Sequence, residues 1–256
     1  MRDDIHTLKI LIVSETAQER ELVRQAALQA SVPIDAAELD ALGDRATTIE
    51  LLAKQNYDVV LFDSRMPKLV RQGLLDLIRA APSRPLAILI GPATIKTREV
   101  FTEGLDVDSA LAKPIAIGEA GSLMERCIRA RLPKQVLIVD DSPTVRSVVH
   151  KVMQASRFKL ETQQAEDGSA AVELAKKKRF DIVFLDYQMP GMDGFETFAA
   201  LKRSHPDIKV VMMTGARDVR VEDRARGQGV HDFLYKPFFA KDIDAVLNKL
   251  FGLVRP

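Results

Sequence analysis

The sequence predicts an α/β protein built from two copies of one domain, each a parallel sheet with helices on both faces. Short continuous apolar runs alternate with longer segments of helical period along the chain. The second half contains VLIVDDSP, DIVFLDYQMPGMDG, VVMMTG and DFLYKPF, and the first half contains ILIVSETA, DVVLFDSRMP, AILIGP and SALAKPI in the same order. The length of 256 residues suits two domains of ordinary size.

The two halves keep a nearly constant spacing between their matching residues. Asp63 precedes Asp186 by 123 residues, and Lys113 precedes Lys236 by the same number. Ser14 precedes Asp140 by 126 residues. We therefore expect one domain over residues 1–132 and a second over residues 133–256.

The strands and helices of each half follow from the apolar runs and the segments between them. In the first half, strands are predicted near 9–13, 58–62, 86–90 and 108–112, with a weaker one near 33–37. A helix ending near Arg131 meets Pro133, which marks the break between the domains. In the second half, predicted strands at 136–139, 159–163, 182–185, 210–213 and 233–235 alternate with helices near 143–155, 169–178, 194–204, 219–228 and 240–251.

Composition excludes several classes of protein. Hydrophobic residues make up 46% and charged residues 29% of the chain, and the net charge of +1 is not that of a nucleic-acid-binding protein. The N-terminus lacks the apolar segment of a secretion signal and no run suits a membrane helix, so we expect a cytoplasmic protein. The one cysteine, Cys127, and the four scattered histidines suggest neither a disulfide nor a zinc site.

Polar residues of the second half follow the predicted strands at one edge of the sheet, where ligands bind in open α/β folds. Asp140 and Asp141 end the first strand, Asp186 the third and Thr214 the fourth, and Lys236 follows the fifth. Three carboxylates in one cleft would repel one another unless a cation lay between them. Mg²⁺ suits such oxygen ligands, so the edge is predicted to bind magnesium.

Over residues 134–253, the second half resembles the receiver domains of bacterial two-component response regulators, most closely the single-domain chemotaxis type. The resemblance rests on the five residues just described together with Pro237, in order and spacing. It implies a flavodoxin-like (βα)5 fold with strand order 2-1-3-4-5. It also implies that Asp186 accepts a phosphoryl group from the phosphohistidine of a histidine kinase, with Mg²⁺ held by Asp140, Asp141, Asp186 and the backbone carbonyl of Gln188.

The resemblance also implies how the phosphoryl group is read out. Lys236 and Mg²⁺ would neutralise its oxygens, and the hydroxyl of Thr214 would donate a hydrogen bond to one of them. Phe233 stands at the switch position, where an aromatic ring turns inward as the threonine moves. The Lys236–Pro237 bond is expected to be cis, and the changed surface is the face of the fourth helix, fifth strand and fifth helix, through which homodimers form in the family.

The first half resembles the same family over residues 8–131, but it departs at several positions. Ser14 and Glu15 replace the acidic pair, so we expect weaker metal binding. Ile90 is assigned to the threonine position and Ala110 to the switch position, so coupling to the surface should be weak.

Two functional features of the first half remain, Asp63 and Lys113 followed by Pro114. A salt bridge between the two side chains could hold the pocket together without a metal. We therefore expect a degenerate pseudo-receiver used for interaction, with phosphorylation of Asp63 as the less favoured alternative.

The predicted function is that of a two-component response regulator that signals by protein–protein contacts and is not an enzyme beyond its own phosphorylation and dephosphorylation. Its partners would be a histidine kinase and an effector protein, with no DNA-binding domain in this chain. Two alternatives remain open. The chain could be the regulatory part of a longer enzyme such as a diguanylate cyclase, or a phosphate sink in which Gln188 and Ala216 tune the access of water.

Overall fold

The computed structural model describes residues 7–31, 33–40, 45–92, 105–215 and 219–253. Its contacts divide the chain into two compact units, one that runs to Leu132 and includes the segment from Phe251, and one from Pro133 to Leu250. The sequence placed the whole C-terminus in the second domain, whereas residues 251–253 group with the first unit. The physical reason is packing, since Leu253 is buried and its carbonyl accepts a hydrogen bond from the hydroxyl of Ser109.

The first unit is a five-stranded parallel sheet with helices between its strands. The strand order is β2-β1-β3-β4-β5. The strands are β1 (Leu8–Ser14), β2 (Ile34–Asp40), β3 (Val59–Asp63), β4 (Leu86–Pro92) and β5 (Ser109–Lys113). The described helices are α1 (Ala17–Leu28), α2 (Arg45–Lys54), α3 (Lys68–Ala80) and α4 (Ile117–Arg131).

The second unit repeats this architecture. Its strands are β6 (Lys134–Val139), β7 (Leu160–Ala165), β8 (Ile182–Asp186), β9 (Lys209–Thr214) and β10 (Asp232–Tyr235). Its helices are α5 (Pro143–Gln154), α6 (Gly168–Lys177), α7 (Gly194–Ser204), α8 (Val219–Gly227) and α9 (Ala240–Leu250). The sheet order β7-β6-β8-β9-β10 confirms the predicted order 2-1-3-4-5, and both units have the flavodoxin-like fold.

The central strands are buried along their whole length because helices cover both faces of each sheet. Every residue of β3 and of β8 is buried. Each unit has its own apolar core, with Phe62 among the largest buried side chains of the first and Phe184 of the second. This explains why the strands read as continuous apolar runs in the sequence.

Helices α5 and α7 of the second unit both begin at side-chain caps. Ser142 accepts a hydrogen bond from the amide of Val145, with Pro143 in the first turn of α5. Asp193 and Glu196 form a reciprocal capping box at the start of α7. These caps fix the chain just beyond β6 and just before α7.

Two further observations concern the cysteine and the possibility of a membrane-spanning helix. The thiol of Cys127 is fully buried, and burial raises its pKa to about 12, so it serves packing. Among the described residues, no helix has the length and apolar character that crossing a bilayer requires.

Candidate functional site

The site of the second unit forms where two neighbouring strands end together. Val139, the last residue of β6, pairs with Leu185 of β8, so Asp140 and Asp186 leave the sheet side by side. Asp140 and Asp186 are 1% and 7% exposed, whereas Asp141 is exposed. One carboxylate oxygen of each of the three lies within 4.8 Å of the others.

Lys236 reaches these carboxylates from the end of β10. Its Nζ lies 2.6 Å from Oδ2 of Asp140 and 2.8 Å from Oδ1 of Asp186. The predicted cis peptide bond is present between Lys236 and Pro237, and the backbone amide of Lys236 donates to the carbonyl of Thr214 at 2.8 Å. The lysine is therefore held by backbone contacts as well as by its ion pairs.

The charges of this pocket are not balanced. Burial raises the pKa of Asp186, the ammonium of Lys236 opposes that effect, and the nearby Asp140 and Asp141 add to it. Burial tends to lower the pKa of Lys236, but its hydrogen bonds to Asp140 and Asp186 outweigh burial and raise it. Among the described side chains, three carboxylates meet one ammonium, and this excess of negative charge fits a divalent cation with oxygen ligands.

Gly194 allows helix α7 to begin against the chain that follows β8. A Cβ atom at this position would lie 2.7 Å from the carbonyl oxygen of Asp186 and 2.9 Å from Cα of Tyr187. The amide of Gly194 instead donates to the carbonyl of Tyr187 at 3.2 Å. This close approach makes glycine a requirement for the shape of the loop.

The remaining predicted residues of the second unit take these places. Thr214 is half-buried at the end of β9, opposite Tyr235. The side chain of Gln188 is exposed in the loop after β8, and its carbonyl as a metal ligand stays a prediction. Phe233 is buried, with the guanidinium of Arg226 5.8 Å from its ring centre. Ala216 lies outside the described residues.

The face that the family resemblance associates with output carries polar links between its elements. The hydroxyl of Tyr235 on β10 donates a hydrogen bond to Glu222 on α8. Asp232, also on β10, accepts from Lys249 of α9 at 3.0 Å. These contacts connect the strand that carries Phe233 to the helices on both sides of it.

The pocket of the first unit is filled by its own charged side chains. Lys113 lies 2.6 Å from Oδ2 of the buried Asp63 and 2.9 Å from Oε1 of Glu19. The guanidinium of Arg65 contacts the same two carboxylates, at 3.0 Å from Oδ2 of Asp63. The hydroxyl of Ser14 donates to Oε2 of Glu19 at 2.8 Å.

This pairing changes the acidity of the carboxylate. Burial alone would raise the pKa of Asp63, but hydrogen bonds from Arg65 and Lys113 outweigh burial and lower it to about 2. Hydrogen bonds from Lys113 and Ser14 likewise outweigh burial at Glu19 and lower its pKa. The predicted salt bridge between Asp63 and Lys113 is thus present, as part of a larger cluster, and the Lys113–Pro114 bond is cis.

Two sequence assignments in the first unit need correction. Glu15 is exposed, and among the described residues no hydrogen bond or ion pair joins it to the pocket, which receives Glu19 instead. Ile90 does not hold the threonine position, because Asp63 pairs with Ile90 as Asp186 pairs with Met213.

Gly91 therefore holds the place of Thr214 at the end of its strand, and the pocket still has no hydroxyl there. The spacing of 123 residues between Asp63 and Asp186 gives the same assignment, because Gly91 also precedes Thr214 by 123 residues. Ala110 does stand where Phe233 stands, since it pairs with Leu89 as Phe233 pairs with Met212.

Comparison with known proteins agrees with this geometry. Residues 136–248 match the family described as Response regulator receiver domain. The cyclic di-GMP phosphodiesterase response regulator RpfG of Xanthomonas campestris pv. campestris (strain 8004) is 30% identical over 149 residues, which cover 57% of this chain and 39% of that protein.

Two further proteins are similar over different lengths. The heme response regulator HssR of Staphylococcus aureus (strain JH9) is 36% identical over 109 residues, covering 43% of this chain and 47% of that protein. The chain thus spans less than half the length of these curated relatives. A solved structure of a probable two-component system response regulator/GGDEF domain protein has a TM-score of 0.54 and 23% identity over 97% of this chain and 100% of that one, which supports the fold alone.

Proposed function

We propose that the protein is a two-component response regulator in which Asp186 accepts a phosphoryl group from a histidine kinase. The observation that carries the proposal is the meeting of Asp140, Asp141 and Asp186 within 4.8 Å, with Lys236 bonded to two of them. A carboxylate oxygen of Asp186 would form a bond to phosphorus as the phosphorus–nitrogen bond of the phosphohistidine breaks. The receiver family match over this region supports the same chemistry.

Mg²⁺ would be held by Asp140, Asp141, Asp186 and the carbonyl of Gln188, and when bound it would supply positive charge to the phosphoryl oxygens. Lys236 would supply charge from the side chain that already spans Asp140 and Asp186. The hydroxyl of Thr214, at the end of the neighbouring strand, would donate to a phosphoryl oxygen.

The signal would leave through the surface of α8, β10 and α9, to an effector protein or a second copy of the chain. Phe233 lies on the strand between these helices, three residues before Lys236. A shift of Lys236 and Thr214 toward a phosphoryl group would act on β10, to which the contacts of Tyr235 with Glu222 and of Asp232 with Lys249 connect the helices.

The first domain would take part by contact and not by accepting phosphate. Its aspartate is already paired with Arg65 and Lys113, and Gly91 offers no hydroxyl for a phosphoryl oxygen. We therefore propose an interaction role for this domain.

One observation favours a second candidate function. The relative RpfG is by its name a cyclic di-GMP phosphodiesterase response regulator, and the match covers 39% of its length. On that basis the two domains would regulate a catalytic domain for cyclic di-GMP further along a longer chain. The reading frame beyond the codon for Pro256 separates the two candidates.

Intact mass after treatment with a small-molecule phosphodonor and Mg²⁺ tests the proposed function. We expect one phosphate per chain, because among the described residues the acidic cluster lies in the second pocket, together with Lys236 and near Thr214 at the end of the neighbouring strand. Asp186→Asn should abolish the added mass, and Asp63→Asn, the matched change in the first domain, should retain it. Phosphate that persists in Asp186→Asn would contradict the assignment of the acceptor.

A further inference from the structure

Arg65 places a permanent positive charge inside the pocket of the first domain. It lies two residues after Asp63, as Gln188 lies two residues after Asp186. Its backbone amide and Nε approach Oδ1 of Asp63 at 2.8 and 3.4 Å, and its Nη2 approaches Oδ2 at 3.0 Å. The planar guanidinium therefore engages both oxygens of one carboxylate.

Glu19 completes the arrangement from helix α1. It lies five residues after Ser14, and the residue five after Asp140 in the second domain is the apolar Val145. Glu19 accepts from Lys113 and Ser14 and contacts Nη2 of Arg65. Arg65 and Glu19, whose counterparts in the second domain are the uncharged Gln188 and Val145, thus belong to the same cluster of contacts.

Charge counting separates the two pockets. Among the side chains that the structure describes, two carboxylates pair with two cations in the first pocket, whereas three carboxylates meet one ammonium in the second. A divalent cation in the first pocket would have to displace the guanidinium from Asp63 or lie beside it, at a cost in lost hydrogen bonds or in repulsion. Magnesium does not fit the residues present there.

We infer that the guanidinium of Arg65 closes the first pocket to divalent cations and that, with Lys113 and Glu19, it replaces the ion as the counter-charge of Asp63. This inference rests on the proposed function only in taking the second pocket as the one that binds metal. The lowered pKa of Asp63, beside the raised pKa of Asp186, agrees with it. Arg65 then acts together with the loss of the acidic pair to keep divalent cations out of the first domain.

Binding of Mn²⁺ to the full chain, followed by the electron paramagnetic resonance signal of the free ion, tests this inference. The background carries Asp140→Asn, Asp141→Asn and Asp186→Asn, so that binding reports on the first pocket. Two variants are compared in this background, one with Ser14→Asp alone and one with Ser14→Asp and Arg65→Gln. The glutamine is the residue that the second domain has at the matching position, Gln188. We expect removal of the guanidinium to tighten the apparent Kd by about tenfold or more, because a like charge leaves the site.

Arg24→Gln is the matched control, because it removes one positive charge from a surface pair with Glu21 on the same domain. It should change the Kd by less than about twofold, as exposed charges are screened. Tight binding by Ser14→Asp alone, or no binding with Arg65→Gln, would overturn the inference. Circular dichroism checks folding, and if Arg65→Gln unfolds the domain, Arg65→Met, uncharged and unbranched, must give the same gain.

The unmodified chain separates this test from a test of the proposed function. It should bind one Mn²⁺, and that binding should disappear in the triple-asparagine background. Failure there would contradict the magnesium site of the second domain. The comparison of the two chains that differ at Arg65 would still decide the inference about the first pocket.

Discussion

At the scale of single residues, Asp63 and Asp186 show how the surroundings of a side chain set its chemistry. Both end the third strand of a parallel sheet, both are buried, and both accept a hydrogen bond from a lysine that precedes a cis proline. Asp63 has a second cation in Arg65, whereas Asp186 has two further carboxylates nearby. The pKa of the first is lowered to about 2 and that of the second is raised.

The acidity of Asp63 gives a prediction for pH. Its pKa in the folded chain is about 2, below the ordinary value of 3.8, so its pairing contributes stability above pH 3.8. That contribution, on the order of 2 kcal/mol, is lost as the pH falls through 2. We expect the carbon-13 carboxyl resonance of Asp63 to titrate with a midpoint near pH 2. That midpoint should rise in Arg65→Gln, and an unchanged midpoint would contradict the pairing.

Lys236 gives a second prediction at this scale. Lys236→Ala leaves the carboxylates of Asp140 and Asp186 facing each other without a counter-charge, at a cost of about 2 to 4 kcal/mol in the free energy of unfolding. Mg²⁺ should recover much of that loss, because its ligands remain in place. Urea unfolding with and without Mg²⁺ measures both effects.

The matched control for Lys236→Ala is Lys176→Ala, which removes an exposed partner of Glu173 and should cost less than about 0.5 kcal/mol with or without the ion. A loss in Lys236→Ala that Mg²⁺ leaves unchanged would mean that the carboxylates do not form its site.

At the scale of elements, the functional pocket depends on where β8 ends and how α7 begins. The capping box of Asp193 and Glu196 fixes the first turn of the helix, and Gly194 lets that turn lie against Asp186 and Tyr187. The loop between β8 and α7 includes Gln188, whose carbonyl is the predicted fourth metal ligand. The geometry of this loop therefore depends on Gly194, which has no reactive side chain.

Gly194→Ala tests this dependence. The added Cβ would meet the carbonyl oxygen of Asp186 at 2.7 Å, so the helix or the loop must shift, and we expect a loss of about 1 to 3 kcal/mol in unfolding free energy. Weaker Mn²⁺ binding should accompany that loss.

Gly227→Ala is the control for this change, because a Cβ there meets nothing within 4 Å. It should leave Mn²⁺ binding unchanged. A Gly194→Ala chain with unaltered stability and affinity would show that the loop tolerates the displacement.

At the scale of the whole molecule, the sequence predicts the fold well because continuous apolar strands have a strong pattern. It also predicts the meeting of Asp140, Asp186 and Lys236, since the carboxyl ends of neighbouring parallel strands share one edge. Glu19 and Arg65 could not be predicted in the same way. Whether a glutamate on a helix and an arginine in a loop turn into a pocket depends on side-chain conformations, which spacing along the chain does not contain.

The assignment of Ile90 was wrong for a different reason. Strands β4 and β9 both read as uniform apolar runs, and such a run offers no internal landmark for its register. In the structure, the pairing of Asp63 with Ile90 fixes the register of β4 against β3. Polar landmarks such as Asp63 and Lys113 fix the ends of strands in the sequence, and the interior of an apolar strand must be counted from them.

The ion cluster of the first domain also bears on how the protein would sense its environment. A carboxylate whose counter-ions belong to the polypeptide is indifferent to chelators and to the supply of phosphodonor. If the pockets divide as we propose, metal binding and phosphorylation change the second domain alone. The first domain then keeps one state, which partner proteins can contact whether or not the second domain is modified.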